Sequence, residues 1–212
     1  DADVANVAAS KLTGALPAIS GASLTSLPVQ KINPNLIING NFDVSQRGVY
    51  TSNTTTAGGN YYVDRWSGST VSTLLHTKNT IISGITSWAN TLKMTVPSGQ
   101  SAAALTQQVE WIDQLKGVQV TLSCWMKSNI ASSINIYDGG SQTHSSAHTG
   151  GGGWEKLTVT KTLSASASQV RAEAYTGGSA AVGSYHETTQ WKMEVGSTAT
   201  DFEHRSYGEE LA

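Results

Sequence analysis

From residue 118 to residue 127 apolar and polar side chains take turns: Val118, Val120, Leu122, Cys124 and Met126 alternate with Gln119, Thr121, Ser123, Trp125 and Lys127. A period of two marks a strand with one face in a core and the other in water. The alternation recurs with Leu92, Met94 and Val96; with Ile134 and Ile136; with Leu157 and Val159; with Val170, Ala172 and Ala174; and with Trp191, Met193 and Val195. Between these runs stand "SGQSA", "DGGS", "TGGGG" and "TGGSA", whose glycines permit the positive φ of tight turns. With "YYVDRW", "STLLHT" and "AALTQQVE" the pattern predicts about nine short strands. The fold class that follows is all-β, a jelly-roll β-sandwich. Helix is confined to "VEWIDQLKG" (109–117), where one turn ending at Gly117 is expected.

Residues 1–34 break the pattern. They hold no aromatic residue, and Leu12, Leu16, Ile19, Leu24 and Leu27 are spaced among Gly, Ser and Ala. "LTGALP" and "LTSLP" form a weak internal repeat, and Pro17 and Pro28 forbid a continuous helix. An apolar ridge on an extended chain is best buried against copies of itself, so 1–34 is expected to be an extended oligomerisation stalk ahead of a sandwich over 35–212. A disordered linker is the alternative.

Composition narrows the function classes. Only 13% of the 212 residues are charged, while Gly reaches 21, so polarity comes from hydroxyls and amides. A formal net charge of −2 without a Lys/Arg cluster argues against nucleic acid, whose backbone is bound through several cations. Apolar runs such as Asn35 to Ile38 fall far short of the roughly 20 residues of a membrane span, so no membrane insertion is expected. The single cysteine, Cys124, excludes an intrachain disulfide and a cysteine-based zinc site and reads as a buried thiol.

The order of several landmarks carries a resemblance. "NLIINGNFDVSQRG" is followed by "YYVDRWSG", "LKGVQVTLSCWMKS", "GGGWEKLTVTKTL" and "TTQWKMEVGSTATDFEHRSYGEE". Together they resemble the carbohydrate-binding-module-like jelly roll of bacteriophage tail-fibre and receptor-binding proteins, and "KLTGALPAISGASLTSLP" resembles the stalks that precede such heads. The resemblance implies a virion component, on a tail fibre or the capsid surface. It would form a homotrimer, contact neighbouring virion proteins and recognise a host-surface polysaccharide. It also implies that the "NGNFD" corner could lend oxygens to a structural calcium, through Asn41, Asp43 and Glu194. Calcium takes about six to eight oxygens and this set supplies two acids. The other reading has Asp43 capping the turn and pairing with Arg47, with Phe42 in the core. No further cofactor is implied.

Catalytic signatures are weak. Asp64 beside Arg65 in "YYVDRW" reads as an ion pair fixing a strand end. No pair of carboxylates sits in loops suggestive of a glycosidase, and no G-x-S-x-G elbow is present. His144 and His148 have metal-ligand spacing only on a helix, and the glycines around them read instead as a solvent loop forming a mobile rim.

Strand phase supplies the stronger candidate. With the aliphatic residues inward, Trp125, Tyr137 and Tyr175 emerge outward among Lys127, Asn135, Arg171 and Glu173, and Trp154 shares that phase. A flat ring suits the apolar face of a pyranose, and adjacent polar groups suit its hydroxyls. The candidate ligand-binding set is Trp125, Tyr137, Trp154, Arg171, Glu173 and Tyr175, with no catalytic residue assigned. These rings could equally be covered by a loop or a neighbouring protomer. The expected function is non-enzymatic adhesion. The alternatives are a structural component bridging virion proteins and a polysaccharide depolymerase with an intersubunit site.

Overall fold

The computed structural model describes residues 34–46, 50, 52–68, 70–85 and 89–211. Apart from Pro34, the expected stalk lies outside the described residues, as does Arg47.

Among the described residues twelve strands form two antiparallel sheets packed as a jelly-roll-like sandwich. Sheet A runs, edge to edge, β1 (Thr54–Thr56), β4 (Ser72–Thr80), β5 (Ala89–Thr95), β12 (Tyr185–Val195), β7 (Gln119–Ser128) and β10 (Trp154–Thr162). Sheet B runs β2 (Tyr61–Val63), β3 (Trp66–Gly68), β6 (Ala104–Gln108), β11 (Arg171–Tyr175), β8 (Ser133–Tyr137) and β9 (Gln142–His144). The strands beyond the predicted nine are three-residue pieces. β1 and β9 are too short to show a period, and "YYVDRW" folds into a hairpin, with Arg65 at φ 71° in its turn. The expected turn near Gly117 forms as a 3-10 segment, Ile112–Leu115.

The core lies between the sheets. Leu74, Leu92, Met94, Val120, Leu122, Cys124, Met126 and Met193 of sheet A face Leu105, Ile134, Ile136, Ala172 and Ala174 of sheet B, all buried. Cys124 is packed there as expected, and burial pushes its thiol pKa well above the ordinary value. Phe42, Trp66 and Trp191 form one aromatic cluster, with centroids 5.4 Å apart for the first pair and 5.1 Å for the second.

The "NGNFD" corner locks this cluster to the sheet. Asn35 Nδ2 donates to the carbonyl of Trp191 at 2.9 Å, and Asn35 Oδ1 accepts from the Met193 amide at 3.0 Å. The Trp191 amide donates to Gly40 O at 2.9 Å, and a Cβ on Gly40 would stand 2.2 Å from the Trp191 carbonyl oxygen, so only glycine fits. Asn39 staples the turn: its Nδ2 donates to Val44 O at 2.8 Å and Asp64 O at 3.0 Å, and its Oδ1 accepts from the Val44 amide at 3.0 Å. The Asn39 amide donates to Glu210 of the terminal helix α1 (Tyr207–Leu211), which Ser206 and Glu209 cap reciprocally. The corner is therefore a structural clasp joining the first described residues to the last.

A second clasp closes the edge. Lys161 Nζ of β10 reaches Ser141 Oγ at 2.8 Å and Asp138 Oδ2 at 3.3 Å, in the loop between β8 and β9. Burial alone would raise the Asp138 pKa. The amides of Ser141, Ser164 and Gly140, with Lys161, outweigh it and hold the carboxyl at about 2.

Candidate functional site

Register sorts the six candidate residues onto two opposite surfaces. Tyr137, Arg171, Glu173 and Tyr175 lie on the outer face of sheet B, whereas Trp125 and Trp154 lie on the outer face of sheet A. All six are partly buried, and none joins the hydrophobic core. The phase of each strand is the expected one. β7 enters sheet A and β8 and β11 enter sheet B, so Trp125 stands across the sandwich from the two tyrosines.

On sheet B one cross-strand row reads Tyr61, Ser67, Thr106, Glu173, Asn135, His144, and the next reads Gln108, Arg171, Tyr137, Gln142. Tyr175 lies on the other side of Glu173, between Ala104 and Ser133. The Arg171 guanidinium stands 4.5 Å from the Tyr137 ring centroid, and its Nη2 is 3.4 Å from Glu173 Oε1. Gln142 Nε2 donates to Glu173 Oε2 at 3.3 Å, and the Tyr137 hydroxyl donates to Gly139 O at 2.9 Å. Tyr137 and Tyr175 are about 13 Å apart along the strand direction, four residues at 3.3 Å each, with Glu173 midway.

Three buried polar atoms on this face have no hydrogen-bond partner: Thr106 Oγ1, Asn135 Oδ1 and Arg171 Nε. Asn135 is only 1% exposed and Thr106 8%, although both are on the outer side of the sheet. Their register neighbour is Glu173, flanked by Thr106 on one strand and Asn135 on the other. A buried polar group left unpaired costs about 1–3 kcal/mol, so each of these atoms calls for a partner, such as an ordered water, that the protein does not itself supply.

The outer face of sheet A is half covered. Residues 196–202 cross it and bury Lys192 and Glu194, whose side chains are each 1% exposed with a 3.9 Å separation. Lys192 Nζ donates to Thr200 Oγ1 at 2.6 Å and Asp201 O at 2.9 Å, and Glu194 Oε1 accepts from the Thr200 amide at 2.7 Å. Where this cover ends, a cleft of about 240 Å³ opens over Trp125, with Gly84, Ile85, Lys156, Gln190 and Phe202 among its walls. A bulge between Thr189 and Lys192, with Gln190 at φ 51°, shifts the alternation so that Trp191 enters the core while Gln190 lines the cleft.

The implied calcium set does not assemble. Asn41 Nδ2 donates to Asp43 Oδ1 at 3.1 Å and its Oδ1 accepts from Thr189 at 3.1 Å, while Asn90 Nδ2 donates to Asp43 at 2.6 Å. Glu194 lies five positions beyond Thr189 across the bulge, held by Thr200. Among the described residues no three His, Cys, Asp or Glu side chains converge where a metal could sit.

Other candidates also find structural partners. Arg65 pairs with Glu110 at 2.5 Å and not with Asp64, whose Oδ2 accepts from the Gln46 amide at 2.5 Å, because the two lie in a turn that splays them apart. His144 sits on edge strand β9, 3.2 Å from Ser133 Oγ. His148 is buried: its Nδ1 accepts from the Gly150 amide at 2.9 Å, leaving Nε2 to donate to Gly153 O at 3.0 Å. The expected solvent loop is an edge strand followed by a mostly exposed loop, anchored at the buried His148.

No protein-family model matches the chain, and no curated protein does. Solved structures do resemble it. The enzymatically active domain of bacteriophage CBA120 tailspike protein 4 aligns with a TM-score of 0.52 at 17% identity, covering 76% of this chain and 21% of that one. A cyclase from Fischerella gives a TM-score of 0.52 at 11% identity over 79% of this chain and 97% of that one. A family 61 carbohydrate-binding module solved with β-1,4-galactotriose gives a TM-score of 0.44 at 12% identity over 77% and 99%. With the tailspike domain and the cyclase the fold is shared, and at these identities only the fold. This chain spans about a fifth of the length of the tailspike domain it matches, 21%.

Proposed function

We propose that this chain is a non-enzymatic carbohydrate-binding domain that grips a glycan across the outer face of sheet B. The observation that carries the proposal is the polar patch around Glu173, which Arg171 and Gln142 contact and which lies midway between Tyr137 and Tyr175. Sugar hydroxyls donate and accept, so one ring lying over Glu173 can hydrogen-bond its partly exposed carboxylate. Tyr137 is already braced by Arg171 and Tyr175 is rooted on a central strand, so both rings offer flat apolar surface at little cost in ordering. The spacing of the rings suits a chain of sugars better than a single one.

The setting we propose is a phage virion, as an adhesive head on a tail fibre or at the capsid surface, directed at a host polysaccharide. Its support is the ordered landmarks in the sequence and the fold likeness to a stretch of a phage tailspike. A homotrimer, joined through residues 1–34, would turn weak single sites into avid binding by raising effective concentration. Deleting residues 1–30 is then expected to lower the oligomeric state in light scattering, and an unchanged oligomer would remove the stalk from the proposal.

One observation favours a second role, a structural contact with other virion proteins. Trp111 is 79% exposed beside a largely apolar hollow lined by Leu36, Ile38 and Leu115. The two roles separate by glycan array. Signal that is lost in Tyr175→Ala and Glu173→Gln but kept in Trp111→Ala supports adhesion at sheet B, and signal insensitive to both sheet B variants contradicts it.

A further inference from the structure

We infer that the Trp125 cleft on sheet A is a second saccharide site, on the opposite side of the sandwich, for a single sugar ring that carries a carboxylate or a phosphate. It stands on observations separate from those at sheet B, and either site could fail without the other.

The cleft has the size, floor and charge for such a ligand. At about 240 Å³ it is smaller than the roughly 300–1,000 Å³ of sites for larger organic ligands, which suits one pyranose. Trp125 is fixed in place: a Cβ added to Gly84 would lie 2.6 Å from its Cη2, so the Gly84 backbone closes directly on the edge of the indole. Gly84 also has φ +92°, and both facts require glycine there. An aromatic wall held by backbone loses little freedom when a sugar stacks on it. The bulge at Gln190 sets an amide beside the ring, and Ser123 adds a hydroxyl.

Charge separates this cleft from the sheet B face. Lys93, Lys127 and Lys156 share the uncovered part of the outer surface of sheet A, alongside Glu187 and Asp201. Glu187 is held by the Thr91 hydroxyl at 2.5 Å, and the Lys93 ammonium stands 4.0 Å from the Tyr185 ring centroid. Lys127 stands opposite Glu187 in register, and among the described residues it makes no ion pair within 4 Å. Lys156 lies on the cleft wall, 3.7 Å from the carboxylate of Asp201, which is fully exposed. An exposed pair at that distance is worth little, so a ligand anion could take the place of Asp201 against Lys156. Lys192 and Glu194 face the same side but neutralise each other beneath the covering segment.

The test is isothermal titration of the full chain with glucuronate, glucose 6-phosphate, glucose and inorganic phosphate, followed by the Trp125 indole N–H in a two-dimensional NMR spectrum. Binding of glucuronate or glucose 6-phosphate, with a shift of that signal, is expected, and the response of each names the anion. The affinity should fall about tenfold in Trp125→Ala and about threefold in Lys156→Gln, and should rise in Asp201→Asn, a change to a fully exposed side chain that leaves packing untouched. Arg65→Ala, outside both proposed sites, should leave it unchanged. Equal binding of glucose would overturn the anionic part of the assignment. Inorganic phosphate binding as tightly as the sugar phosphate would reduce the cleft to an ion site, and no shift of the Trp125 signal with any probe would overturn it altogether.

Discussion

The outer faces of the two sheets are made by the same rule and end in different states. Both carry the polar half of alternating strands. On sheet B, Tyr137, Gln142, Arg171, Glu173 and Tyr175 keep partly or fully exposed side chains above a buried Thr106 and Asn135. On sheet A residues 196–202 lie across it, burying a Lys and a Glu and leaving a cleft at the margin. An open sheet face can meet an extended polymer along its length. A half-covered one admits a ligand end or a single ring. The difference comes from one short segment after the last strand and not from the strands themselves.

The largest effect should follow from breaking the covered face. Removing one partner of the Lys192–Glu194 pair, as in Lys192→Met, strands a buried charge and is expected to cost about 3–5 kcal/mol in urea unfolding. Replacing both residues with apolar side chains together should cost much less. A small loss in the single variant would show that the segment over sheet A is not closed.

The inner side of sheet A differs from that of sheet B in carrying two buried histidines, His76 and His186, none of whose ring nitrogens has a hydrogen-bond partner within good geometry. Burial depresses both pKa values, to about 4 for His76, with Lys78 adding to the shift, and to about 3 for His186. Between those values and the ordinary 6.5 the unfolded chain binds more protons than the folded one. Stability should therefore be full above about pH 6.5 and fall as the pH drops toward 4, by about 1.4 kcal/mol per unit for each histidine. Urea midpoints measured from pH 7 to pH 4 check this, and His186→Phe should flatten the slope by about half.

Smaller still is the expected effect on the open face. Tyr175→Ala and Glu173→Gln should each lower glycan affinity about tenfold while moving stability by less than about 1 kcal/mol, because both side chains are partly exposed and the contacts of Glu173 are long, 3.3 and 3.4 Å. The least effect is expected at the surface pair Arg65–Glu110, half exposed on both sides, where Arg65→Ala should cost at most about 1 kcal/mol. It serves as the exposed counterpart of Lys192–Glu194.

Much of this was legible in the sequence, and what was not has specific causes. The period of two gave the phase of β7, β8, β10 and β11, because a side chain's face is decided by its neighbours one residue away. Which sheet a strand enters depends on partners far along the chain, so Trp125 and Tyr137 read alike and stand on opposite sides. Gln142 was missed because a three-residue edge strand has no visible period. Thr106 was missed because nothing local marks a threonine beside a distant glutamate. "NGNFD" suggested an ion by resemblance, but Asn41 and Asp43 are taken up by Thr189 and Asn90. The cleft at Trp125 depends on a bulge and a covering segment, both tertiary features.

The most direct test of the central claim is chemical-shift mapping of the full chain during titration with purified host-surface polysaccharide or its oligosaccharides. Saturable shifts concentrated at Asn135, Tyr137, Gln142, Arg171, Glu173 and Tyr175 are expected. Saturable binding that leaves those six signals in place would contradict it.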